Sequence, residues 1–129
     1  MMTDLPRRSR EYRNYGFESR NWDLVIPRDG DVVIGTSYKS GTTWMQSIVL
    51  QMIFHGKKVL AVANVSPWVD RRRDDPMPMV AMRAAQRHRR VLKSHISLDA
   101  TAYHRGTRYI NCFGTRGRCS CRLGTTCRG

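Results

Sequence analysis

The alternation of apolar and polar residues divides the first half of the chain into a strand, a polar loop and a helix. Residues 32–34 form a short apolar run, which predicts a buried strand. Small and hydroxylated residues follow from Gly35 to Thr43 and predict a loop. Apolar residues then recur at helical spacing from Thr43 to about Phe54, which predicts a helix that is buried on most sides and ends near Gly56.

The remaining patterns predict a polar arm before this unit, and a helix and two strands after it. Residues 1–24 are polar without periodicity, and we expect an extended arm that packs over the core through its aromatic rings. These rings belong to Tyr12, Tyr15, Phe17 and Trp22. Residues 57–78 contain three prolines and predict irregular structure, followed by a helix at about 78–87. Apolar runs at 90–95 and 108–110 predict two further strands.

This order of elements predicts the fold class and the place of a binding site. Strand, helix, helix, strand and strand in succession favour an α/β fold, a P-loop-like parallel sheet with crossover helices. In such sheets ligands lie at the carboxyl ends of the strands. The loop after residue 34 and His95 both follow a predicted strand, so we expect both at this edge. Trp68 follows a proline beside polar residues and would line a pocket there, or else anchor a surface loop through its ring.

The loop between the first strand and the helix has the composition of a phosphate-binding loop. The first turn of a helix leaves backbone N–H groups without intrahelical partners, and the helix dipole adds positive potential there. Lys39 supplies a mobile charge, and Gly41 permits close approach of the backbone to an anion. Further donors are the hydroxyls of Ser40, Thr42 and Thr43. A tight turn of small residues without a ligand is the alternative interpretation.

The loop differs from the common triphosphate-binding motif, in which four residues separate two glycines and lysine follows the second. Here five residues separate Gly35 from Gly41, and Lys39 precedes Gly41. The sequence Lys-Ser-Gly-Thr-Thr-Trp at residues 39–44 instead closely resembles the 5′-phosphosulfate-binding loop of sulfotransferases that use 3′-phosphoadenosine 5′-phosphosulfate (PAPS). Tyr38 departs from the proline that many members of this family carry before the lysine. The resemblance implies that Lys39, Ser40, Gly41, Thr42, Thr43 and Trp44 bind PAPS.

A second stretch, Arg-Val-Leu-Lys-Ser-His at residues 90–95, is similar to the sulfotransferase segment in which Lys, Thr and His follow an apolar strand. Ser94 takes the place of the threonine and keeps its hydroxyl. Sulfuryl transfer requires a base for the acceptor proton and positive charge at the leaving phosphate oxygen. Because histidine titrates near neutral pH, we predict His95 as the general base and Lys39 as the charge stabiliser. Lys93 would be a secondary contact to the transferring group or the acceptor.

The two stretches together imply a sulfotransferase that moves a sulfuryl group from PAPS, its co-substrate, to a hydroxyl or an amine of a small-molecule acceptor. No metal is expected, because no group of carboxylates and histidines has metal-ligand spacing. His55 ends the predicted helix and His88 lies in an arginine-rich run, so neither is assigned a function. A kinase with a variant loop is disfavoured, since no acidic residue is placed to hold magnesium near Lys39.

The charge of the chain leaves open an alternative function that involves binding without catalysis. Its 129 residues include 23 Lys and Arg against 10 Asp and Glu, for a formal net charge of +13. Such an excess raises the prospect of a basic nucleic-acid or anion-binding protein. The basic residues lie in scattered short clusters, and no nucleic-acid-binding module is recognisable. We therefore expect no nucleic-acid partner, and attribute the charge to a solvated surface and to attraction for an anionic co-substrate.

No stretch of the sequence predicts a targeting or membrane segment. The charged start of the chain has no following apolar run, unlike a secretory signal. The most apolar run, at residues 48–54, is far shorter than the about 20 residues that span a bilayer. We therefore expect a cytoplasmic protein without a membrane partner.

Residues 111–129 do not have the pattern of a closing domain. They contain four arginines and all four cysteines, namely Cys112, Cys119, Cys121 and Cys127. Zinc sites commonly use Cys-x2-Cys pairs, which this segment lacks, and disulfides are uncommon in cytoplasmic proteins. The resemblance implies that residues 1–110 are the N-terminal part of a sulfotransferase domain of about twice this chain's length. We expect residues 111–129 to be disordered.

The resemblance also suggests the hypothesis that the tail from about residue 111 is frame-shifted. After the strand at 108–110, bacterial sulfotransferases usually continue with Arg-Asp-Ala-Arg-Asp-Val-Phe-Met-Ser, whose Arg and Ser bind the 3′-phosphate. Read from the third base of each codon, the tail permits most of this segment in order. Three joins that the genetic code restricts tightly each allow the expected residue, namely Phe113-Gly114, Cys119-Ser120 and Cys121-Arg122. The chain would then be truncated, lack the 3′-phosphate site and be weakly active or inactive.

Overall fold

The computed structural model describes residues 8–37, 40–58, 61–101, 103–115 and 118–125, and of residues 113–115 and 118–125 only the backbone. In chain order the elements are a 3-10 helix at Ser19–Leu24, strand β1 at Val32–Thr36, helix α1 at Thr42–Ile53, helix α2 at Val62–Val65, helix α3 at Met77–Ala85, strand β2 at Val91–Ser94, a 3-10 turn at Leu98–Ala100, strand β3 at Arg108–Thr115 and strand β4 at Arg118–Thr125. Each strand and helix predicted from the sequence is present.

The four strands form one sheet in the order β2-β1-β3-β4. β1 runs parallel to both of its neighbours, so that Val32 lies between Val91 of β2 and Arg108 of β3. All five residues of β1 are buried, as expected of the central strand of a parallel sheet. The predicted α/β fold is therefore confirmed, as a small parallel sheet with helices and one added antiparallel strand.

Successive residues of β1 contribute to two separate apolar clusters, because neighbouring side chains of a strand point to opposite faces of the sheet. On one face Val32 and Ile34 pack with Val49 and Leu50 of α1. On the opposite face Val33 packs with residues from the arm, from the segment between α2 and α3, from β2 and the residues that follow it, and from β3. These are Trp22, Val69, Leu92, Ile96, Ala100 and Tyr109. Helix α1 thus covers one face and the arm covers the other.

The arm packs over the sheet through its rings, with two differences from the prediction. Trp22 is buried in the core, and Phe17 packs against the same cluster. Tyr15, at the tip of a tight turn, is 94% exposed and contributes no packing. The 3-10 helix at Ser19–Leu24 was not predicted, and Glu18 caps it by accepting a hydrogen bond from the backbone of Arg20.

Helix α1 is buried along one face only, so the prediction that it is buried on most sides is wrong. Leu50 is fully buried against the sheet, whereas Trp44 is 66% exposed and Met52 is also exposed. Beside the exposed side lies an apolar groove of about 710 Å³. Its lining includes Met45, Ile48, Val49, Met52, Ile53 and Ile110. The helix ends at Ile53, and Gly56 follows with a φ of 79°, as predicted for its stop.

The segment predicted as irregular between α1 and α3 contains one short helix, α2, and extends the sheet at one point. Trp68 pairs with Lys93 of β2 in a single parallel bridge. The backbone of Val69 donates to the carbonyl of Lys93 at 2.9 Å, and the backbone of Lys93 donates to the carbonyl of Pro67 at 3.0 Å. These bonds hold the segment beside the carboxyl end of β2.

The tail differs from the disorder that was expected from residue 111 onward. Residues 111–115 continue β3, and β4 pairs with it in antiparallel register from Arg108 opposite Thr125 to Thr115 opposite Arg118. Every residue except proline carries a backbone donor and acceptor, so a ladder forms without an apolar side-chain pattern. Residues 116–117 and 126–129 lie outside the described part of the chain.

An ion pair is buried at the amino ends of β1 and β2. Arg90 donates through Nε to Asp31 Oδ1 at 3.0 Å and through Nη2 to Asp31 Oδ2 at 2.5 Å. Both side chains are 3% exposed, and Arg90 Nη2 also donates to the carbonyl of Ile26 at 2.8 Å. This bidentate contact links the residues that immediately precede the two strands.

Replacing Asp31 with asparagine is expected to lower the free energy of unfolding by about 3 kcal/mol or more, because it leaves a buried guanidinium without its counter-charge. Urea titration measures the change. The control is Asp23→Asn, which removes an exposed partner of Arg8 and is expected to cost less than about 1 kcal/mol. Equal losses in the two variants would contradict the prediction.

Candidate active site

A hydrogen bond between two threonine hydroxyls joins the residues on either side of the loop between β1 and α1. Thr36, the last residue of β1, hydrogen-bonds through Oγ1 to Oγ1 of Thr42, the first residue of α1. Gly41 precedes the helix with a φ of 80°, a left-handed conformation that favours glycine. The first intrahelical hydrogen bond runs from the backbone of Met45 to the carbonyl of Gly41 at 3.0 Å. The amino end of α1 therefore faces the carboxyl end of β1.

A cavity of about 560 Å³ lies at this amino end of α1. Its lining consists of Gly41, Thr42, Thr43, Trp44, Trp68, Lys93 and His95. The structure thus brings together four of the residues predicted to bind PAPS and two of the predicted catalytic residues. Ser40 is buried next to Gly41 and does not line this cavity. Lys39, to which the sequence assigns both roles, lies outside the described residues, as does Tyr38.

The imidazole of His95 is oriented by the last residue of β1. His95 Nδ1 lies 3.0 Å from the backbone carbonyl oxygen of Thr36 and 3.3 Å from its Oγ1. A carbonyl oxygen only accepts hydrogen bonds, so Nδ1 carries the proton in the neutral ring. Nε2 is then the basic nitrogen. The tautomer thus determines that a proton would be accepted at Nε2.

The surroundings of His95 favour its neutral form. Burial of the ring lowers the pKa of His95 below the ordinary value of 6.5. The hydrogen bond to the Thr36 carbonyl opposes this shift, the positive charge of Lys93 adds to it, and the carboxylate of Asp70 opposes it. Because burial is the largest cause, the net effect is a lowered pKa for His95.

Trp68 forms a wall between His95 and Lys93. Its ring meets the His95 ring edge-on, with centroids 4.8 Å apart and an interplanar angle of 89°. Lys93 Nζ lies 5.4 Å from the centroid of the same ring, within the range of a cation–π contact. Burial lowers the pKa of Lys93, while the carboxylate of Asp70 raises it. Of the two alternatives for Trp68, the structure favours the pocket wall.

Asp70 is a buried carboxylate beside these residues that the sequence did not single out. Its side chain accepts hydrogen bonds from the Trp68 indole, the Ser94 hydroxyl and the backbone of His95 and Ile96. In the segment from Ser66 to Asp70 the sequence pattern points to Trp68 alone. Only the fold reveals that the acid at its end reaches the carboxyl end of β2.

A second cavity, of about 300 Å³, opens at the carboxyl ends of β1 and β2, beside the middle of β3. Thr36, Ser37, His95, Asn111 and Cys112 contribute to its lining. His95 therefore lies between two cavities, one at the helix amino end and one over the strand ends. Such a position suits a base that must reach a second substrate beside an anion held by the helix.

Two further properties bear on the class of protein. Among the described residues, no helix is both long and apolar enough to cross a membrane. Within the same residues, no three His, Cys, Asp or Glu side chains come together as a metal site would require. The expected absence of a metal from the reaction stays a prediction.

Comparison with known proteins agrees with the geometry. The family model described as the sulfotransferase domain matches residues 29–106, more than half of the chain and the part that holds β1, the loop, α1 and β2. A glycolipid sulfotransferase of Mycobacterium tuberculosis is 36% identical over 104 residues, which are 80% of this chain and 32% of that protein. A glycolipid sulfotransferase of Mycobacterium bovis matches with the same identity and coverage.

This chain spans about a third of the length of those curated relatives. The family match covers both of the stretches on which the resemblance rested, at residues 39–44 and 90–95. It also covers the half-buried His95 and the helix amino end that faces it. With this coverage, the chain belongs to the sulfotransferase family.

Proposed function

We propose that this chain is the N-terminal part of a PAPS-dependent sulfotransferase that transfers a sulfuryl group to an acceptor hydroxyl or amine. The observation that carries the proposal is the contact between His95 Nδ1 and the Thr36 carbonyl at 3.0 Å. It makes Nε2 the basic nitrogen, in a ring that lines both cavities of the candidate site. A base oriented in this way beside a helix amino end fits proton removal next to a bound anion.

The residues at the amino end of α1 fit the phosphosulfate end of PAPS. Gly41 lets the backbone approach an anion, while the hydroxyls of Thr42 and Thr43 lie on the same cavity as Lys93. Lys39 would add a charge at the bridging oxygen, a role that rests on the sequence alone. These donors suit an anionic group and do not select a metal.

PAPS supplies a sulfuryl group bonded to a phosphate that can leave. In the proposed step, His95 Nε2 takes the proton from the acceptor O–H or N–H while the acceptor atom forms its bond to sulfur. The bond between sulfur and the bridging phosphate oxygen breaks, and that oxygen keeps the electron pair. Lys39 stabilises the charge that develops there, and Lys93 contacts the transferring group or the acceptor. The products are the sulfated acceptor, 3′-phosphoadenosine 5′-phosphate (PAP) and a proton on His95.

The acceptor that we propose is a hydroxyl of a glycolipid. Support comes from the relatives in two mycobacteria, both of which are named glycolipid sulfotransferases. The second cavity, over the strand ends, is the proposed place for this hydroxyl because His95 lines it. The partner is thus a small molecule, and neither nucleic acid nor a metal takes part.

The proposal includes a truncated domain that is weakly active or inactive. The chain spans 32% of its mycobacterial relative, and an apolar groove of about 710 Å³ runs beside α1 and β3. Ile48 and Met52 are exposed at this groove. Apolar surface left in water lowers stability, so we expect a marginally stable chain.

Binding of PAP tests the cofactor half of the proposal. Isothermal titration calorimetry of the full chain is expected to show binding that Lys39→Ala weakens by about tenfold or more, because it removes one charge-assisted contact. The matched control is Lys57→Ala, since Lys57 is an exposed lysine that follows α1. We expect its affinity to remain within a factor of about two.

The same titration separates the proposal from its alternative, a basic protein that binds nucleic acid or anions without catalysis. That alternative predicts duplex DNA binding that weakens steeply as salt rises, and no preference for a nucleotide over inorganic phosphate. It also predicts equal effects of Lys39→Ala and Lys57→Ala. The absence of a nucleotide preference, or equal effects of the two substitutions, would contradict the proposed function.

A further inference from the structure

We infer that Asp70 is a positioning residue for His95, one that holds both the backbone of the base and the ring that packs against it. The inference rests on the proposed function, in which His95 is the base. It concerns a buried acid that the proposed step does not use. Its foundation is the set of hydrogen bonds around the Asp70 carboxylate.

The Asp70 carboxylate accepts hydrogen bonds from two separate segments of the chain. Oδ2 accepts from Ser94 Oγ at 2.7 Å, from the backbone of His95 at 3.1 Å and from the backbone of Ile96 at 3.1 Å. Oδ1 accepts from the Trp68 indole N–H and from the backbone of His95 at 3.3 Å. Three consecutive residues at the end of β2 are therefore bound to one side chain.

Burial makes this arrangement rigid. The side chain of Asp70 is 0% exposed, and a buried carboxylate is costly unless donors surround it. The backbone of Asp70 is also held, because its carbonyl accepts from the backbone of Glu18 at 2.9 Å. The arm thus closes over the residue from outside. Any movement of the β2 end away from Asp70 would leave its charge without partners.

The hydrogen bonds of Asp70 constrain the His95 ring in two ways. One route is the backbone, because the hydrogen bonds to His95 N–H and Ile96 N–H set the position from which the imidazole reaches Thr36. The other is Trp68, whose indole donates to Asp70 and whose ring lies edge-on to the imidazole at 4.8 Å. Asp70 therefore constrains the ring from its backbone and from its packing neighbour.

Asparagine cannot replace Asp70 in this role. An amide keeps one acceptor oxygen and turns the other position into a donor. In Asp70→Asn that NH₂ group would face either the Trp68 indole or the Ser94 hydroxyl and the two backbone N–H groups. We expect the β2 end to shift and the contact from His95 Nδ1 to Thr36 to loosen.

The test is NMR of the four histidine rings in the full chain, with His95 assigned through His95→Gln. In the wild type, the ring ¹⁵N shifts should show the Nδ1–H tautomer. Asp70→Asn is expected to abolish that preference and to move the His95 titration to lower pH. The direction follows because the carboxylate favours the charged imidazolium, while Lys93 disfavours it. Ser94→Ala removes one donor to Asp70 and is expected to reduce the tautomer preference partly.

The control is Asp99→Asn, which removes another acid bound by an aromatic residue, since Tyr12 Oη donates to Asp99 Oδ2 at 3.2 Å. Its His95 signals should match those of the wild type. Should Asp70→Asn fail to fold, Ser94→Ala decides the question. Wild-type tautomer and titration in every folded variant at positions 70 and 94 would overturn the inference. Because these signals need neither PAPS nor turnover, they are independent of whether His95 proves to be the base.

Discussion

His95→Ala is expected to reduce sulfuryl transfer by about a hundredfold to ten-thousandfold, the contribution typical of a general base. The rate is best measured in a chimera that joins residues 1–106 to the remaining C-terminal part of the Mycobacterium tuberculosis relative, because this chain spans only 32% of that protein. Its readout is sulfated glycolipid formed from PAPS. The loss should fall on kcat, since the role proposed for His95 is to take the acceptor proton and His95 is not among the residues predicted to bind PAPS.

The matched control for this variant is His88→Ala. The His88 ring packs against Phe54, with centroids 4.9 Å apart, and lines the groove beside α1 instead of either cavity at the site. Its transfer rate should stay within a factor of about three of the unmodified chimera. A loss of less than tenfold in His95→Ala, or equal losses in both variants, would contradict the role of His95.

The pH dependence of the chimera follows from the surroundings of His95. Burial lowers the pKa of His95 below 6.5, so the ring stays neutral and basic at pH values where a free histidine is already protonated. The acid limb of kcat/KM is therefore expected below pH 6.5. Lys93 moves the limb to lower pH and Asp70 to higher pH, in agreement with the signs of their charges.

Local pattern was sufficient to predict β1, the loop and α1. A short apolar run, a cluster of small hydroxylated residues and a helical stripe each report on neighbouring residues, so they need no knowledge of the fold. The parallel pairing of β1 with β2 then placed Thr36 and His95 at the same edge, as the order of elements implied. Most residues that line the cavity at the amino end of α1 were thus predictable from sequence.

The rest of the site depends on contacts between segments far apart in the chain. Asp70 lies 25 residues before His95, and no spacing rule connects a loop acid to the end of a later strand. The sequence likewise predicted that Trp22 packs on the core, but not that the arm crosses the sheet face opposite α1. These positions follow from how segments pack, a property that periodicity does not report.

The exposed side of α1 illustrates a related limit. Its apolar residues predicted burial on most sides, yet Trp44 and Met52 are exposed. Periodicity identifies which side chains are apolar and not which neighbouring element covers them. The tail shows the converse, because β4 forms through backbone pairing in a segment whose side chains gave no strand pattern.

The frame-shift hypothesis for the tail predicts that the chain has little affinity for the 3′-phosphate of the nucleotide. The family match ends at residue 106, close to the position from which the alternative frame would begin. In that frame the segment after residue 110 would carry the Arg and Ser that the resemblance assigns to the 3′-phosphate. Two such charge-assisted hydrogen bonds contribute about 1.5–3 kcal/mol each, so their loss would cost at least a hundredfold in affinity.

The full chain is therefore expected to bind PAP at most about threefold more tightly than adenosine 5′-monophosphate, which lacks only the 3′-phosphate. A chain expressed in the alternative frame from residue 111 should prefer PAP by about a hundredfold or more, because it regains both contacts. Calorimetry with the two nucleotides measures both preferences, and Lys39→Ala should weaken both nucleotides equally, since it acts at the 5′ end. A hundredfold preference in the chain as it stands would contradict the hypothesis. So would encoding DNA whose alternative frame lacks the Arg and Ser codons.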